Sequence, residues 1–119
     1  MQFKEAAEAA DEATMRSMLA ADPGLRDRHV DLVTRMAEAR NWPTVRLLIE
    51  HGFDVNGVTA DGATALHYAA AAGELSIARL LVEHGADHTA REPGFNAQPA
   101  GWAQYFKKSE TQKYLDSLA

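Results

Sequence analysis

Leu47-Leu48-Ile49-Glu50-His51-Gly52-Phe53-Asp54 returns 33 residues later as Leu80-Leu81-Val82-Glu83-His84-Gly85-Ala86-Asp87. Two octets matched at that many positions do not align by chance. A period of thirty-odd residues marks a chain built by stacking copies of one small unit. A further 34 residues on, the frame reaches Tyr114-Leu115-Asp116, and 29 residues back from Leu47-Leu48 it reaches Met18-Leu19, followed by Asp22-Pro23-Gly24. Four units therefore fit a single domain, at approximately 1–25, 26–58, 59–91 and 92–119.

The pattern predicts an inner and an outer helix in each unit, closed by a glycine-marked exit. The inner helices are expected at 3–10, 30–39, 65–72 and 99–106, and the outer ones at 12–21, 42–51, 75–84 and 110–118. Asn41 ahead of Trp42-Pro43 offers an N-cap oxygen with proline in the first turn, where its missing N–H does no harm. Ser109 with Gln112 has the spacing of a capping box. Gly52 and Gly85 fall where a left-handed residue closes the last helical turn. Helices this short need neighbours to bury their apolar faces, which is how a solenoid is stabilised.

A chain of 119 residues is about one domain long and hides roughly two thirds of its unfolded surface on folding. It has no cysteine, hence no disulfide, thiol nucleophile or thiolate metal site, and a reducing cytoplasmic setting is expected. The acids near the N-terminus do not suit a signal peptide, and no apolar run approaches membrane-span length. The net charge of -5, from 17 acids and 12 bases, is mixed along the chain. The only local group of bases is Lys107-Lys108 with Lys113, which reads as a solvated helix and not as a nucleic-acid surface.

The third unit, Asp61-Gly62-Ala63-Thr64-Ala65-Leu66-His67-Tyr68-Ala69-Ala70 with Gly73, Leu80-Leu81 and Gly85-Ala86-Asp87, closely resembles the ankyrin repeat, whose pattern there is D-G-x-T-P-L-H-x-A-A. Ala65 stands in place of the common proline. The second unit keeps the spacing but has Asp31-Leu32-Val33-Thr34-Arg35-Met36-Ala37 where the inner-helix signature belongs. The fourth keeps Gln98-Pro99-Ala100-Gly101-Trp102-Ala103 and carries Thr111 and Gln112 where unit three has Ile77-Ala78, a substitution that suggests the polar outer surface of a terminal cap. The first unit, with Ala6, Ala7, Ala10, Met18 and Leu19 as its inward residues, lacks a hairpin in front of it. The resemblance implies a small stand-alone ankyrin-repeat protein: an all-α solenoid of four stacked helix-turn-helix units with short hairpin-like loops. It also implies that Thr64 and His67 hold the tight turn by hydrogen bonds to nearby backbone. The hairpin tip is expected at Thr59-Ala60-Asp61-Gly62.

Five histidines raise the question of a metal. His51 and His84 occupy the same repeat position, about 10 Å apart by helix packing distance, so they cannot share an ion. His67 belongs to the signature, and His84 with His88 spans a helix end and its loop. Carboxylate pairs such as Asp11 with Glu12 or Glu50 with Asp54 fall on solvated positions, and no nucleophile elbow, P-loop or dinucleotide fingerprint is present. No metal, cofactor or catalysis is expected.

What remains is recognition on the concave face, which a repeat stack forms from hairpin tips and inner helices. The positions that usually face a partner in this family are Arg28, Val30 and Glu38 in unit two, Ala60, Asp61, Ala63, Ala71 and Ala72 in unit three, and Phe95, Tyr105 and Phe106 in unit four. The three aromatics suit interface anchors. An alternative reading makes Tyr105 and Phe106 cover for the end of the core and folds Phe95 back over the last inner helix. Ala69 to Ala72 suggest a smooth strip beside them, and Trp42 and Trp102 fall at inward positions. The expected function is a non-catalytic protein–protein interaction module, an adaptor or inhibitor acting as a monomer on an unidentified protein, with no nucleic-acid or membrane partner. The alternatives are a small-ligand binder or enzyme with a pocket on the stack, and a module that oligomerises end to end.

Overall fold

A computed structural model describes residues 2–118; Met1 and Ala119, the outer limits of the first and last expected units, lie outside them. Nine helices follow one another among the described residues: α1 (Phe3–Glu8), α2 (Glu12–Ala21), α3 (Leu25–Arg28), α4 (Leu32–Glu38), α5 (Trp42–Glu50), α6 (Ala65–Ala72), α7 (Leu75–Glu83), α8 (Pro99–Tyr105) and α9 (Ser109–Asp116). Four inner–outer pairs result, α1/α2, α4/α5, α6/α7 and α8/α9. The described residues extend over 41 × 24 × 21 Å. Inner helices pack in series, α4 on α6 and α6 on α8, and the outer helices follow, α5 on α7 and α7 on α9. The first pair is attached differently, with α1 resting on α5 as well as on α2.

One leucine recurs in the core of every unit. Leu19, Leu48, Leu81 and Leu115, the second member of each matched pair, are all buried. At the first end Phe3 lies on Phe53 with ring centroids 5.3 Å apart and nearly parallel, and the Arg26 guanidinium lies over the Phe53 ring while its Nε donates to the His51 carbonyl. Polar cross-links add to the apolar contacts between units. The Thr44 hydroxyl donates to the Ala7 carbonyl, Thr34 Oγ1 to the Gly57 carbonyl at 2.7 Å, and Asn56 bridges to the Gly85 carbonyl and the Asp87 N–H.

The turn between inner and outer helix is the same in every unit. Ala10, Arg40, Gly73 and Lys107 adopt left-handed φ of 53°, 60°, 71° and 60°. After each of them the next N–H returns to a carbonyl five residues back: Asp11 to Ala6, Asn41 to Met36, Glu74 to Ala69 and Lys108 to Ala103. This satisfies the orphan carbonyls at the helix end. Only the third unit uses glycine there; the others accept the clash of a Cβ with the backbone.

Four expectations need correction. The capping box at Ser109 is not formed, because the left-handed turn at Lys107 starts α9 one residue early. Lys108 is the N-cap, and Ser109 is already helical. Asn41 stands at the N-cap of α5 but does not cap it; its side chain donates to the Glu8 carbonyl of the preceding unit. Val30, expected to open an inner helix, lies outside α4 and is exposed. Thr111 does not form part of a polar outer surface: it is buried, like Thr44 and Ile77, which hold the same repeat position. By contrast Gly52 and Gly85 do take left-handed φ, at 84° and 94°.

Replacing Arg40 by glycine relieves a strained turn and is expected to raise stability by about 0.5–1 kcal/mol. Gly73→Ala is expected to lower it by about 1–2 kcal/mol, since the added Cβ is strained at that φ and meets Lys108 Cδ at 2.9 Å. Urea midpoints of the two variants check both signs.

Candidate functional site

The fourth hairpin is built around one carboxylate. Pro93-Gly94 turns the chain after Glu92, Asn96 takes a left-handed φ of 53°, and the Glu92 N–H returns to the Ala97 carbonyl at 3.1 Å. Glu92 is only 3% exposed. Its carboxylate accepts from the Phe95 N–H at 2.9 and 3.0 Å, from the Ala97 N–H at 3.2 Å and from the Trp102 indole Nε1–H at 3.3 Å. Burial alone would raise its pKa, but these donors outweigh burial and hold the carboxyl below its ordinary value. Phe95 is thereby held at the tip with its ring outward, 84% exposed.

His67 positions this hairpin against unit three. Its Nε2–H donates to the Ala97 carbonyl at 2.8 Å, which leaves Nδ1 free to accept from the Thr64 N–H at 3.2 Å and the Thr64 hydroxyl at 2.9 Å. The Thr64 oxygen in turn accepts from the His67 N–H and caps α6. Burial pushes the imidazole pKa down and prevails over the Ala97 carbonyl and the Glu92 charge, which pull it up. The neutral ring is the form this bonding needs. Trp102 meets His67 edge-on at 5.0 Å and Tyr68 at 5.6 Å.

On the solvent side of Trp102 lies a groove of about 330 Å³ lined by Phe95, Ala97, Gly101, Trp102, Tyr105 and Phe106. Tyr105 is 80% exposed and Phe106 49%, with their rings edge-to-face at 5.0 Å. Phe95 and Tyr105 therefore do not cover the core, and Phe95 does not fold back over α8. Trp102, read as an inward residue, is half-buried and forms the groove's inner wall. Trp42 is likewise half-buried, beside Pro43 and Leu47 on the outer helices.

The remaining candidates divide by exposure. Arg28, Glu38, Ala60 and Asp61 are exposed, and Ala71 and Ala72 are half-buried. Arg28 is paired with Asp22, and Glu38 accepts from the Tyr68 hydroxyl at 3.1 Å. Ala63 must be withdrawn from the partner-facing set. It is fully buried because its carbonyl closes the hairpin onto the Thr59 N–H, which turns the methyl inward. The smooth strip narrows to Ala71 and Ala72, since Ala69 and Ala70 are buried beneath it. Among the described residues no three His, Cys, Asp or Glu side chains gather as a metal site; the His84 ring is bonded to the Leu80 carbonyl.

Two residues that build the site were not singled out from the sequence, Glu92 and, as a groove wall, Trp102. An acid directly before Pro-Gly was the one available signal for Glu92.

Acidification is expected to loosen the site in two stages. The folded pKa of His67 lies below the ordinary 6.5, so as pH falls below 6.5 the unfolded chain takes the proton first and stability drops. Glu92, held below its ordinary 4.5, contributes stability above that value and loses it as pH falls through its depressed folded pKa. His67→Gln is expected to be less stable near neutrality by about 1–3 kcal/mol and to lose most of the upper stage. Urea midpoints measured from pH 7 to 3 test this.

Comparison with known proteins agrees with this architecture. A family described as ankyrin repeats, in three copies, matches residues 3–92; α8 and α9 continue the stack beyond the matched stretch. The potassium channel AKT3 of Oryza sativa subsp. japonica is 50% identical over 46 residues, 38% of this chain and 5% of the channel. The potassium channel AKT1 of Oryza sativa subsp. indica is 52% identical over 40 residues, 34% of this chain and 4% of the channel. The ankyrin repeat and LEM domain-containing protein 1 homolog of Caenorhabditis elegans is 48% identical over 42 residues, 35% of this chain and 6% of that protein. The matches thus span only a small part of these relatives. With most of its length matched and its helix pairs in series, the chain belongs to the ankyrin-repeat family.

Proposed function

We propose that this chain is a non-catalytic adaptor or inhibitor that binds a protein partner on its concave face through the groove of the fourth unit. Ankyrin repeats are generally protein–protein interaction modules. The observation that carries the more specific reading is the exposure of Phe95 and Tyr105 on a hairpin and a helix that Glu92 and His67 hold in place. Exposed rings held by a rigid support lose little entropy on binding, as interface anchors do. Phe106 lines the groove beside Tyr105, and Glu38, Asp61, Ala71, Ala72 and Arg28 are the further residues we assign to this face.

A small-molecule site fits less well, because the groove has almost no polar group to orient a ligand. No helix among the described residues is long and apolar enough to cross a membrane. A monomer in a reducing, cytoplasmic compartment is the state in which we place this activity, on the absence of cysteine. Units 1–25, 26–58, 59–91 and 92–119 are taken to act as one body.

The variant Phe95→Ala with Tyr105→Ala tests the reading. Its stability is expected to stay within about 0.5 kcal/mol of the parent, as for exposed sites, while capture of a specific partner from lysate is lost. Retained capture by a folded double variant would move the binding surface elsewhere.

A further inference from the structure

The groove has an acidic neighbour. Its inner wall, Trp102, touches Tyr68, and the Tyr68 hydroxyl donates to Glu38 on α4 and bonds Thr59 Oγ1 at 3.1 Å. Asp61, at the tip of the same hairpin as Thr59, is close enough to bear on the ionisation of that hydroxyl. Glu38 and Asp61 thus flank one phenol, and that phenol packs against the groove wall. Both carboxylates are exposed, and neither is in an ion pair among the described residues. At the corresponding repeat position one unit back, Arg28, the last residue of α3, is already held by Asp22. Arg35, on α4 with Glu38, is exposed. The concave face therefore presents an apolar cavity and, about one unit away, two carboxylates in no ion pair among the described residues.

We propose that the partner contributes a segment with one large apolar side chain and one lysine or arginine. The apolar side chain fills the groove, and the cation sits between Glu38 and Asp61. The separation is about one repeat, roughly 10 Å. It corresponds to about three residues of extended chain or about seven along a helix. Charge complementarity decides the sign of the partner: an acidic segment would be repelled by both carboxylates, whereas a basic one is drawn in and held in register. The inference rests on the concave-face reading and adds the chemistry of what binds there.

The test is to pan a random dodecapeptide display library against the intact chain, counter-selecting on the folded Phe95→Ser, Tyr105→Ser variant. Affinities of synthetic winners are then measured by fluorescence anisotropy. Winners are expected to pair a large apolar residue with a lysine or arginine at one of the two spacings. They should weaken about tenfold on Asp61→Asn, which breaks no bond within the fold, and on Glu38→Gln, and severalfold in ~0.5 M salt. Winners that need the aromatics but show no basic residue, or bind both charge variants unchanged, overturn this inference and leave the concave-face reading standing. A library in which every binder holds the counter-selection variant equally well, so that none survives, overturns both. A mass that doubles with concentration in light scattering, and stays monomeric in Tyr105→Ser, makes a second copy of this chain the occupant and also overturns the proposal.

Discussion

None of the nine helices among the described residues is longer than the ten residues of α2, and helices of that length do not hold in water alone. Every other feature of the molecule follows from this constraint. Each helix needs a neighbour on its apolar side, so the leucine repeated in each outer helix is buried and the polar cross-links run from one unit to the next. The fold is a sum of adjacent contacts, and a site on one unit is only as rigid as its joint to the unit before.

At the last joint that rigidity comes from His67. Its two ring nitrogens face different units: one accepts from Thr64 within unit three and the other donates to Ala97 of unit four. Glu92 completes the arrangement by gathering the N–H groups of the fourth hairpin and the Trp102 indole. The exposed rings of Phe95 and Tyr105 are therefore displayed on a braced edge, which distinguishes them from apolar residues stranded on a loose end.

Much of this was legible in the residues. The echoed octets located the outer helices to within a residue or two, because a buried leucine pair and a left-handed glycine both leave local traces. The third unit also announced its Thr64 and His67. Legibility failed where a local rule met a tertiary competitor. The short helix α3 was not anticipated, since Leu25–Arg28 is a single turn with no period to detect. Asn41 looked like a cap but bonds the preceding unit, and Ser109 looked like a cap but was displaced by the turn at Lys107. Thr111 looked like polar surface, yet packing places it inside with Thr44. The left-handed Ala10, Arg40 and Lys107 left no sign at all, because residues with a Cβ occupy a position that only Gly73 advertises.

For the candidate site the division is sharper. Residue type and repeat position alone singled out Phe95, Tyr105 and Phe106 around the fourth hairpin and its inner helix, since that follows from register, and register is set by the period. Whether those rings lie open or cover the core, whether Ala63 faces out, and that Glu92 and Trp102 shape the groove were decided only by the tertiary structure. Exposure depends on contacts between units, and the loop from Glu92 to Ala97 takes its path from a buried carboxylate whose donors are brought together only by folding.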